Sequence, residues 1–230
     1  MPTHARRALL VASSCTRMGD FRVPAAVPAS AAAAALYAFA DAGLAVDIAS
    51  VSGAPVSLDW GERAAIDPSL RRLAADPAAR AALAAPLALA AVDGASYATV
   101  LVLPGAGAAW DLSRNDEARR LLSSVASAGG VAAAAGDGVR ALLDARLIPA
   151  GAPATGPTNA ETDAAGLAAL IPYLVESRLR DRGALFVPPP VAGAPFALVT
   201  GRVVCGANDA SAGEAAREAV GVLTGGVAAA

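Results

Sequence analysis

Histidine and cysteine, two residues that often carry catalytic or metal-binding roles, are scarce in this sequence. There is one histidine, His4, and there are two cysteines, Cys15 and Cys205. The cysteines are far apart, and their spacing is neither that of a metal site nor that of a redox pair. We therefore predict no metal and no cofactor, and two reduced thiols in a cytoplasmic protein.

Strong charge and aromatic side chains are also scarce. The net charge is −2, and aromatic residues make up 4% of the chain, so we expect neither nucleic acid nor a membrane as a partner. No stretch has the roughly 18 strongly apolar residues that a transmembrane helix needs. The apolar run at residues 8–12 is shorter than the core of an export signal, about 7–15 residues. We interpret this run as a first β-strand.

Small apolar residues, by contrast, are abundant. Hydrophobic residues make up 56% of the 230, enough to bury the core of one α/β domain. Apolar strand-like segments alternate with helical segments, which is typical of a mainly parallel sheet covered by helices on both faces. We predict a single domain over residues 1–230. Strands are predicted at residues 8–12, 45–50, 99–103, 185–187, 196–200 and 202–205, and in a further segment that starts at residue 131.

Helices are predicted between these strands. The first ends at residue 42, with Pro28 in its first turn, Ser30 as a possible cap and Gly43 just beyond its end. Asn115 is predicted to cap the helix over 115–128. The remaining helical segments are two short pieces within residues 67–84 and longer ones at residues 171–182 and 208–223.

The chain is organised around residues 131–143. An apolar strand runs into Gly-Asp-Gly at 136–138, and Arg-Ala-Leu-Leu then starts a helix. A strand–elbow–helix of this kind is where α/β proteins mount a nucleophile, beside helix N–H groups that can hold an oxyanion. The elbow of this chain carries Gly136 and Asp137, so the scaffold for a nucleophile is predicted without the nucleophile.

Four segments carry a pattern that is shared with a known family. They are residues 36–50, residues 103–112 with Leu-Pro-Gly and Trp-Asp-Leu, residues 155–159, and residues 206–212. In this order they resemble the DJ/PfpI superfamily, whose flavodoxin-like fold is shared with class I glutamine amidotransferases. Within it they are most similar to the branch of Hsp-type chaperone and glyoxalase III proteins. The resemblance implies that fold and a homodimer.

The active-site positions depart from the pattern of that superfamily. Its members carry a nucleophilic Cys and a His at the elbow, and a Glu on the first helix. The resemblance aligns these positions with Gly136, Asp137 and about Ala31. The glycine-rich loop reads Gly-Ala-Gly-Ala at 105–108 and lacks the family's His. Thiol-dependent glyoxalase, deglycase or peptidase chemistry is therefore not expected, because it needs a thiolate.

Asp137 is the candidate catalytic residue, as a general acid or base on a bound carbonyl compound. The alternative is that it only caps the following helix, since Asp is a preferred N-cap. A ligand-binding crevice is expected outside the carboxyl ends of the parallel strands, and the turns at 13–20, 105–110 and 136–138 are predicted to lie there. Asn159 lies near this crevice, where it either contacts a ligand or serves as a solvated or capping residue.

Five further residues are candidates for binding a substrate. Gly105 and Gly107 either present backbone N–H groups to a ligand or only permit a turn. Trp110 either lines a pocket for a planar ligand or packs in the core. Gly136 and Ala31, in place of polar residues, are expected to enlarge the pocket and to make it more apolar, which favours a hydrophobic ligand.

Two functions remain open at this point. The first is a small-molecule-binding pseudoenzyme. The second is a thiol-independent acid–base enzyme of a bacterial metabolite pathway that uses Asp137 as an isomerase, lyase or hydratase, or cyclase. A chaperone-like role rests on the resemblance alone.

Overall fold

The strands of the structure follow the apolar segments of the sequence. The structure is a computed structural model that describes residues 7–21, 23–62 and 66–225; His4 lies outside these ranges. The strands within them are β1 (Arg7–Ala12), β2 (Val27–Pro28), β3 (Ala45–Ser50), β4 (Leu58–Asp59), β5 (Leu87–Ala88), β6 (Thr99–Val102), β7 (Val131–Ala135), β8 (Pro153–Ala154), β9 (Leu185–Phe186), β10 (Ala197–Thr200) and β11 (Val203–Gly206).

The helices lie between the strands along the chain. They are α1 (Ala29–Asp41), α2 (Pro68–Ala75), α3 (Pro77–Ala84), α4 (Ala108–Asp111), α5 (Asp116–Ser127), α6 (Val139–Asp144), α7 (Asn159–Ala164), α8 (Val175–Asp181) and α9 (Ala212–Thr224). Asn115 caps α5 by accepting hydrogen bonds from the N–H groups of Glu117 and Ala118, as predicted. In the described part of the chain, no helix is long and apolar enough to cross a membrane.

Three helix starts differ from those predicted, and one of them is that of α9, which begins at Ala212 after a 3₁₀ turn over Asp209–Ser211 instead of at residue 208. The predicted cap at Ser30 is wrong, because α1 begins at Ala29 with Pro28 at its N-cap and has no side-chain cap. Val27 and Pro28 pair with β4, which keeps the backbone extended up to the first residue of the helix. The predicted start of α8 at residue 171 is also wrong, since the helix begins at Val175. The residue before Pro172 is disfavoured in the helical conformation, which delays the start.

One seven-stranded sheet forms the centre of the fold. Its strand order is β10-β11-β7-β6-β1-β3-β5. All neighbouring pairs are parallel except β10 and β11, which form an antiparallel hairpin. The prediction of an α/β fold with a mainly parallel sheet is therefore confirmed.

Alternate residues of the central strands point into two separate apolar cores. In β1, Leu10 belongs to the core beneath α1 and α9. Its neighbours Leu9 and Val11 belong to the core beneath α5, α6 and α8. This alternation follows from the two-residue period of a strand, and it explains why strands covered on both faces are apolar at every position.

Alanine sets how closely α1 and α9 approach the sheet. In β7, Ala133 and Ala135 face the same core as the buried alanines of α1 and α9. Gly213 in α9 lies so close to α1 that a Cβ atom there would meet the Cβ of Ala34 at 2.9 Å. The alanine-rich composition thus supports close helix packing against the sheet.

Parallel strands bring their carboxyl ends to one edge of the sheet, where ligands bind in folds of this kind. The predicted crevice turns after β1, β6 and β7 meet at this edge. A fourth turn also reaches it, because β11 is parallel to β7. This fourth turn, at 207–211, was not among the predicted crevice turns.

Candidate functional site

The elbow after β7 is built on glycine. Gly136 has φ +52°, a conformation that side chains with a Cβ rarely adopt. A Cβ atom at this position would meet Oδ1 of Asp209 at 2.8 Å and Cβ of Pro104 at 2.9 Å. Gly136 is therefore needed both for its backbone conformation and for the room that Asp209 occupies above the elbow.

Asp137 is buried and forms an ion pair with a neighbour on α6. Its Oδ1 accepts hydrogen bonds from Nε of Arg140 at 3.0 Å and from Nη2 at 2.8 Å. The N-cap of α6 is Gly138, and no side chain caps that helix. The alternative that Asp137 only caps α6 is therefore wrong, because its carboxylate binds the guanidinium instead of the helix N–H groups.

Arg140 has no solvent exposure, although it carries a charge. Its Nη1 donates a hydrogen bond to the backbone carbonyl of Tyr173, and its guanidinium lies 4.6 Å from the centre of the Tyr173 ring. Sequence reasoning missed Arg140. The three-residue spacing from Asp137, which places two side chains on one helix face, was the available signal.

Asp209 is a second carboxyl at the elbow, supplied by the turn after β11. Asp209 is an exposed residue, but desolvation of its carboxyl by the surrounding protein atoms, together with the negative charges of Asp137 and Glu161, raises the pKa of Asp209 to about 6. The residue remains reachable from solvent, so the carboxyl can exchange protons. Sequence reasoning missed Asp209 as well, because its position depends on β11 lying beside β7.

Asp137 and Asp209 lie on the wall of one cavity, which we call the elbow pocket. Its volume is about 320 Å³. The residues that line it are Asp137, Pro157, Glu161, Thr162, Ala165, Leu167, Gly193, Asn208, Asp209 and Ala210. The elbow pocket combines three carboxyl groups with an apolar side formed by α7 and the residues next to it.

Glu161 is the third carboxyl of the elbow pocket, and its hydrogen bonds are internal. It completes the capping box of α7 by accepting from N–H and Oγ1 of Thr158. It also accepts from the N–H of Gly193. Burial acts to raise the pKa of Glu161, but these hydrogen bonds outweigh it and hold the pKa below its usual value. Glu161 therefore contributes negative charge to the pocket.

The glycine-rich turn after β6 is filled by protein atoms. A Cβ atom at Gly107 would meet Oγ of Ser13 at 2.5 Å, and one at Gly105 would meet the carbonyl oxygen of Ala26 at 3.0 Å. Both glycines thus allow the segment that follows β1 to pack against the turn. Among the residues that the structure describes, neither belongs to the lining of the elbow pocket.

The other three predicted binding residues also lie outside that lining, in the part of the chain that the structure describes. Trp110 is 38% exposed and lies near Phe21, with ring centres 6.5 Å apart. Asn159 donates from Nδ2 to Oγ of Ser177 at 3.0 Å. Ala31 is buried in the core beneath α1 and α9. The structure therefore brings Asp137 and Gly136 together with Asp209, and places the remaining candidates elsewhere.

Neither cysteine is placed as an activated nucleophile. Partial burial raises the pKa of Cys15 above its usual value. Complete burial raises the pKa of Cys205 to about 12. A nucleophilic cysteine needs a lowered pKa, and neither thiol has one. Among the described residues, no group of three His, Cys, Asp or Glu side chains is arranged to hold a metal ion.

Comparisons with solved structures identify the fold. The chain matches the Rapid Encystment Protein 24 kDa of Francisella tularensis with a TM-score of 0.87, at 22% identity over 95% of this chain and 99% of that one. It matches glyoxalase III of Candida albicans with a TM-score of 0.78, at 21% identity over 95% and 98%. It matches DJ-1beta of Drosophila melanogaster with a TM-score of 0.61, at 15% identity over 96% and 91%.

Neither a protein-family model nor a curated protein sequence matches the chain. The likeness is therefore one of structure, and it extends over nearly the whole chain and nearly the whole of each of these structures. It agrees with the resemblance predicted from the four sequence segments. The chain has the fold of the DJ-1/ThiJ/PfpI superfamily.

Proposed function

We propose that this chain binds a small organic molecule in the elbow pocket and transfers protons to or from it without a thiol. The observation that carries the proposal is the pair of carboxyls, Asp137 and Asp209, on the wall of one cavity above the elbow. Gly136 offers no side chain at the elbow, and Oδ1 of Asp209 lies 2.8 Å from the position that a Cβ atom at 136 would take. Carboxylate chemistry thus takes the place of a nucleophile.

The two carboxyls have environments suited to different tasks. Asp137 is ion-paired with Arg140, whereas the pKa of Asp209 is raised to about 6 by desolvation of its carboxyl and by the charges of Asp137 and Glu161. A group with a pKa near the working pH can both accept and donate a proton during a reaction. We assign Asp209 as the proton-transferring residue and Asp137 as a fixed charge beside it. An isomerase, a lyase or hydratase, or a cyclase would use such an arrangement.

The polar side-chain atoms of the elbow pocket that have no described partner are carboxyl oxygens, which favours a ligand that donates hydrogen bonds. Thr162 donates to the carbonyl of Thr158, and Nδ2 of Asn208 donates to the carbonyl of Ala194 at 3.0 Å. Among the described residues, the donors to Asp137 bind only its Oδ1, and none donates to the carboxyl of Asp209. An amine or hydroxyl group would bind here, whereas a carboxylate would be repelled.

The apolar side of the elbow pocket supports the predicted hydrophobic ligand for the rest of the molecule. Pro157, Ala165 and Leu167 lie on this side and can cover a small apolar body. We therefore propose a ligand with a hydrogen-bond-donating end and an apolar end. The homodimer, the single domain over 1–230 and the cytoplasmic location stay predictions.

Solvent deuterium exchange tests the proposal without knowledge of the natural substrate. The full chain is incubated in D2O with α-amino ketones, α-hydroxy ketones and α-keto acids, and loss of the α C–H signal is followed by NMR. We expect exchange with the amino and hydroxy ketones and none with the anionic keto acids. Asp209→Asn is expected to lower the exchange rate about 100-fold, the contribution typical of a positioned acid or base.

Asp181→Asn is the matched control, because it makes the same charge change at an exposed residue at the end of α8. Exchange that persists in Asp209→Asn at the wild-type rate would show that the assignment of Asp209 is wrong. If the ketones bind but none exchanges, the second candidate is correct: a ligand-binding protein without catalysis. That candidate is favoured by the absence of a side chain at Gly136 and by the raised pKa of both Cys15 and Cys205.

A further inference from the structure

Arg140 is a charged side chain that the fold encloses completely. Removing a guanidinium from water costs free energy unless ion pairing and hydrogen bonds replace the lost hydration. A residue that served only to start α6 would not need a charge in this position. The contacts of Arg140 therefore indicate the role of its positive charge.

The hydrogen bonds from Arg140 reach one carboxylate oxygen of Asp137 and not the other. Nε and Nη2 of Arg140 both donate to Oδ1 of Asp137. Among the described residues, none donates to Oδ2, although Asp137 lines the elbow pocket. The guanidinium is itself fixed by the carbonyl of Tyr173 and by the face of its ring.

The charged groups around this arrangement are few. Asp209 faces the charges of Asp137 and Glu161. On the far side of the guanidinium, the Tyr173 ring also lies 4.6 Å from the guanidinium of Arg178 on α8, and its hydroxyl lies within 3.4 Å of Asp144 on α6. Arg140 is the only cation among the described residues that forms an ion pair with a carboxylate of the elbow pocket.

Two neighbouring carboxyls with similar surroundings would share one proton between them, and neither would have a defined role. A cation bound to only one of them removes this ambiguity. We infer that Arg140 is a positioning residue that keeps Asp137 ionised and oriented, so that the exchangeable proton of the elbow pocket resides on Asp209. The inference rests on the proposed function, because it assigns the roles of the two carboxyls in that site.

The test compares the titration of Asp209 in Arg140→Met and Arg140→Lys, which differ in charge but are both unbranched side chains. Side-chain carboxyl carbons of 13C-labelled aspartate are followed by NMR from pH 4 to 8 in the full chain. In Arg140→Met the proton spreads to Asp137, so both resonances are expected to titrate in this range. In Arg140→Lys a cation remains, and only Asp209 is expected to titrate there.

The exchange assay supplies the second readout. Loss of the fixed geometry is expected to reduce exchange about 100-fold in Arg140→Met, as misplacement of a catalytic group does, with a smaller loss in Arg140→Lys. Arg119→Met is the matched control, because it makes the same change at an exposed arginine of α5 that is not among the residues lining the elbow pocket. It is expected to change neither the titration of Asp209 nor the rate of exchange.

The inference is overturned if Asp209 is the only one of the two carboxyls that titrates between pH 4 and 8 in Arg140→Met. If Arg140→Met does not fold, the double variant with Asp137→Asn removes both members of the ion pair and replaces the single variant. Its Asp209 is expected to titrate at a lower pH, because the negative charge of Asp137 is gone. An unchanged midpoint in the double variant would overturn the inference. The titration needs no ligand, so a chain that exchanges no ketone can still support the role of Arg140.

Discussion

Two glycine-bearing turns lie at the same edge of the sheet, and they have different uses. After β6, Gly105 and Gly107 admit the segment that follows β1, and the turn is filled by backbone and by Ser13. After β7, Gly136 admits a carboxyl group, and the turn opens onto the elbow pocket. A glycine after a buried strand therefore allows another part of the chain to approach the turn closely. Whether the turn is filled or becomes part of a pocket depends on which part of the chain approaches.

The acidic residues beside the two turns differ in the same way. Asp111, close to the glycine-rich turn, accepts hydrogen bonds from Oγ of Ser13 and the N–H of Ser14, each at 2.7 Å. Burial nevertheless raises the pKa of Asp111 above its usual value. Asp209, at the elbow, has no such donor among the described residues. The first carboxyl holds two segments together, whereas the second is available to a ligand.

The largest expected effect comes from Asp137→Asn at the elbow. This change leaves the enclosed guanidinium of Arg140 without its anion, so we expect the free energy of unfolding to fall by about 3–5 kcal/mol. Urea denaturation measures it. The double variant Asp137→Asn, Arg140→Met removes both charges and should recover most of the loss. A loss below about 1 kcal/mol in the single variant would mean that the ion pair does not stabilise the elbow.

This expectation also changes how Asp137 should be probed. Loss of stability in an Asp137 variant cannot be taken as the loss of a helix cap, because the carboxylate binds Arg140. Variants of Asp209 separate function from stability more cleanly, since no described residue donates a hydrogen bond to that carboxyl.

The second effect concerns the glycine-rich turn. Gly107→Ala places a Cβ atom 2.5 Å from Oγ of Ser13 and 2.9 Å from the carbonyl of Ala25, so we expect a loss of about 1–3 kcal/mol from overpacking. Thermal unfolding measures it. Gly221→Ala in α9 is the control, because nothing lies within 4 Å of the new atom, and it should be neutral or stabilising by up to about 1 kcal/mol. Equal effects of the two variants would show that the packing at Gly107 is loose.

A smaller effect is expected in how Asp209 makes the stability of the chain depend on pH. The pKa of Asp209 is raised to about 6 in the folded chain, above the value of about 3.9 for an unfolded chain. Between these values the folded state holds a proton that the unfolded state has released. The contribution of Asp209 to stability is therefore complete below about pH 4 and is lost as the pH rises through about 6.

Asp209→Asn removes this dependence. Compared with the wild-type chain, the variant should gain up to about 1 kcal/mol on going from pH 4 to pH 7.5, a modest value because the carboxyl is reachable from solvent and screened. Melting temperatures at the two pH values measure the difference. A constant difference between variant and wild type across this range would show that Asp209 does not titrate there.

The smallest effect is expected at the thiols. Because the pKa values of Cys15 and Cys205 are both raised, treatment with iodoacetamide at pH 7.5 should modify little protein and leave ketone binding unchanged. Mass spectrometry of the treated chain measures the modification. Rapid alkylation of Cys15, with loss of binding, would place a reactive thiol beside the glycine-rich turn.

Local sequence patterns were sufficient to predict most of the fold. The apolar run of β7, the Gly-Asp-Gly elbow and the start of α6 are consecutive in the chain, so their conformations depend on neighbouring residues. Asn115 caps α5 through N–H groups two and three residues further on, which is also a local relation. The parallel sheet follows from the alternation of such elements.

The candidate site was only partly predictable, because its second carboxyl depends on the order of strands. Asp209 reaches the elbow because β11 pairs with β7, although more than 60 residues separate Gly136 from Asp209 in the chain. The roles of Gly105 and Gly107 likewise depend on the segment after β1, which no local pattern connects to them. Asp137 was identified as a candidate from the sequence. That its carboxylate would bind Arg140 and not the helix N–H groups could not be predicted, because Tyr173, distant in the chain, holds Arg140 in place.

The contact between Gly136 and Asp209 makes a thiol at the elbow and the carboxyl of Asp209 compete for one space. A change of Gly136 to Cys alone would place its Cβ against both Asp209 and Pro104, and it would do so at φ +52°. The carboxyl of Asp209 can turn aside, whereas Pro104 and the backbone conformation would still oppose the new side chain. A thiol gained at position 136 would therefore displace the carboxyl to which we assign proton transfer.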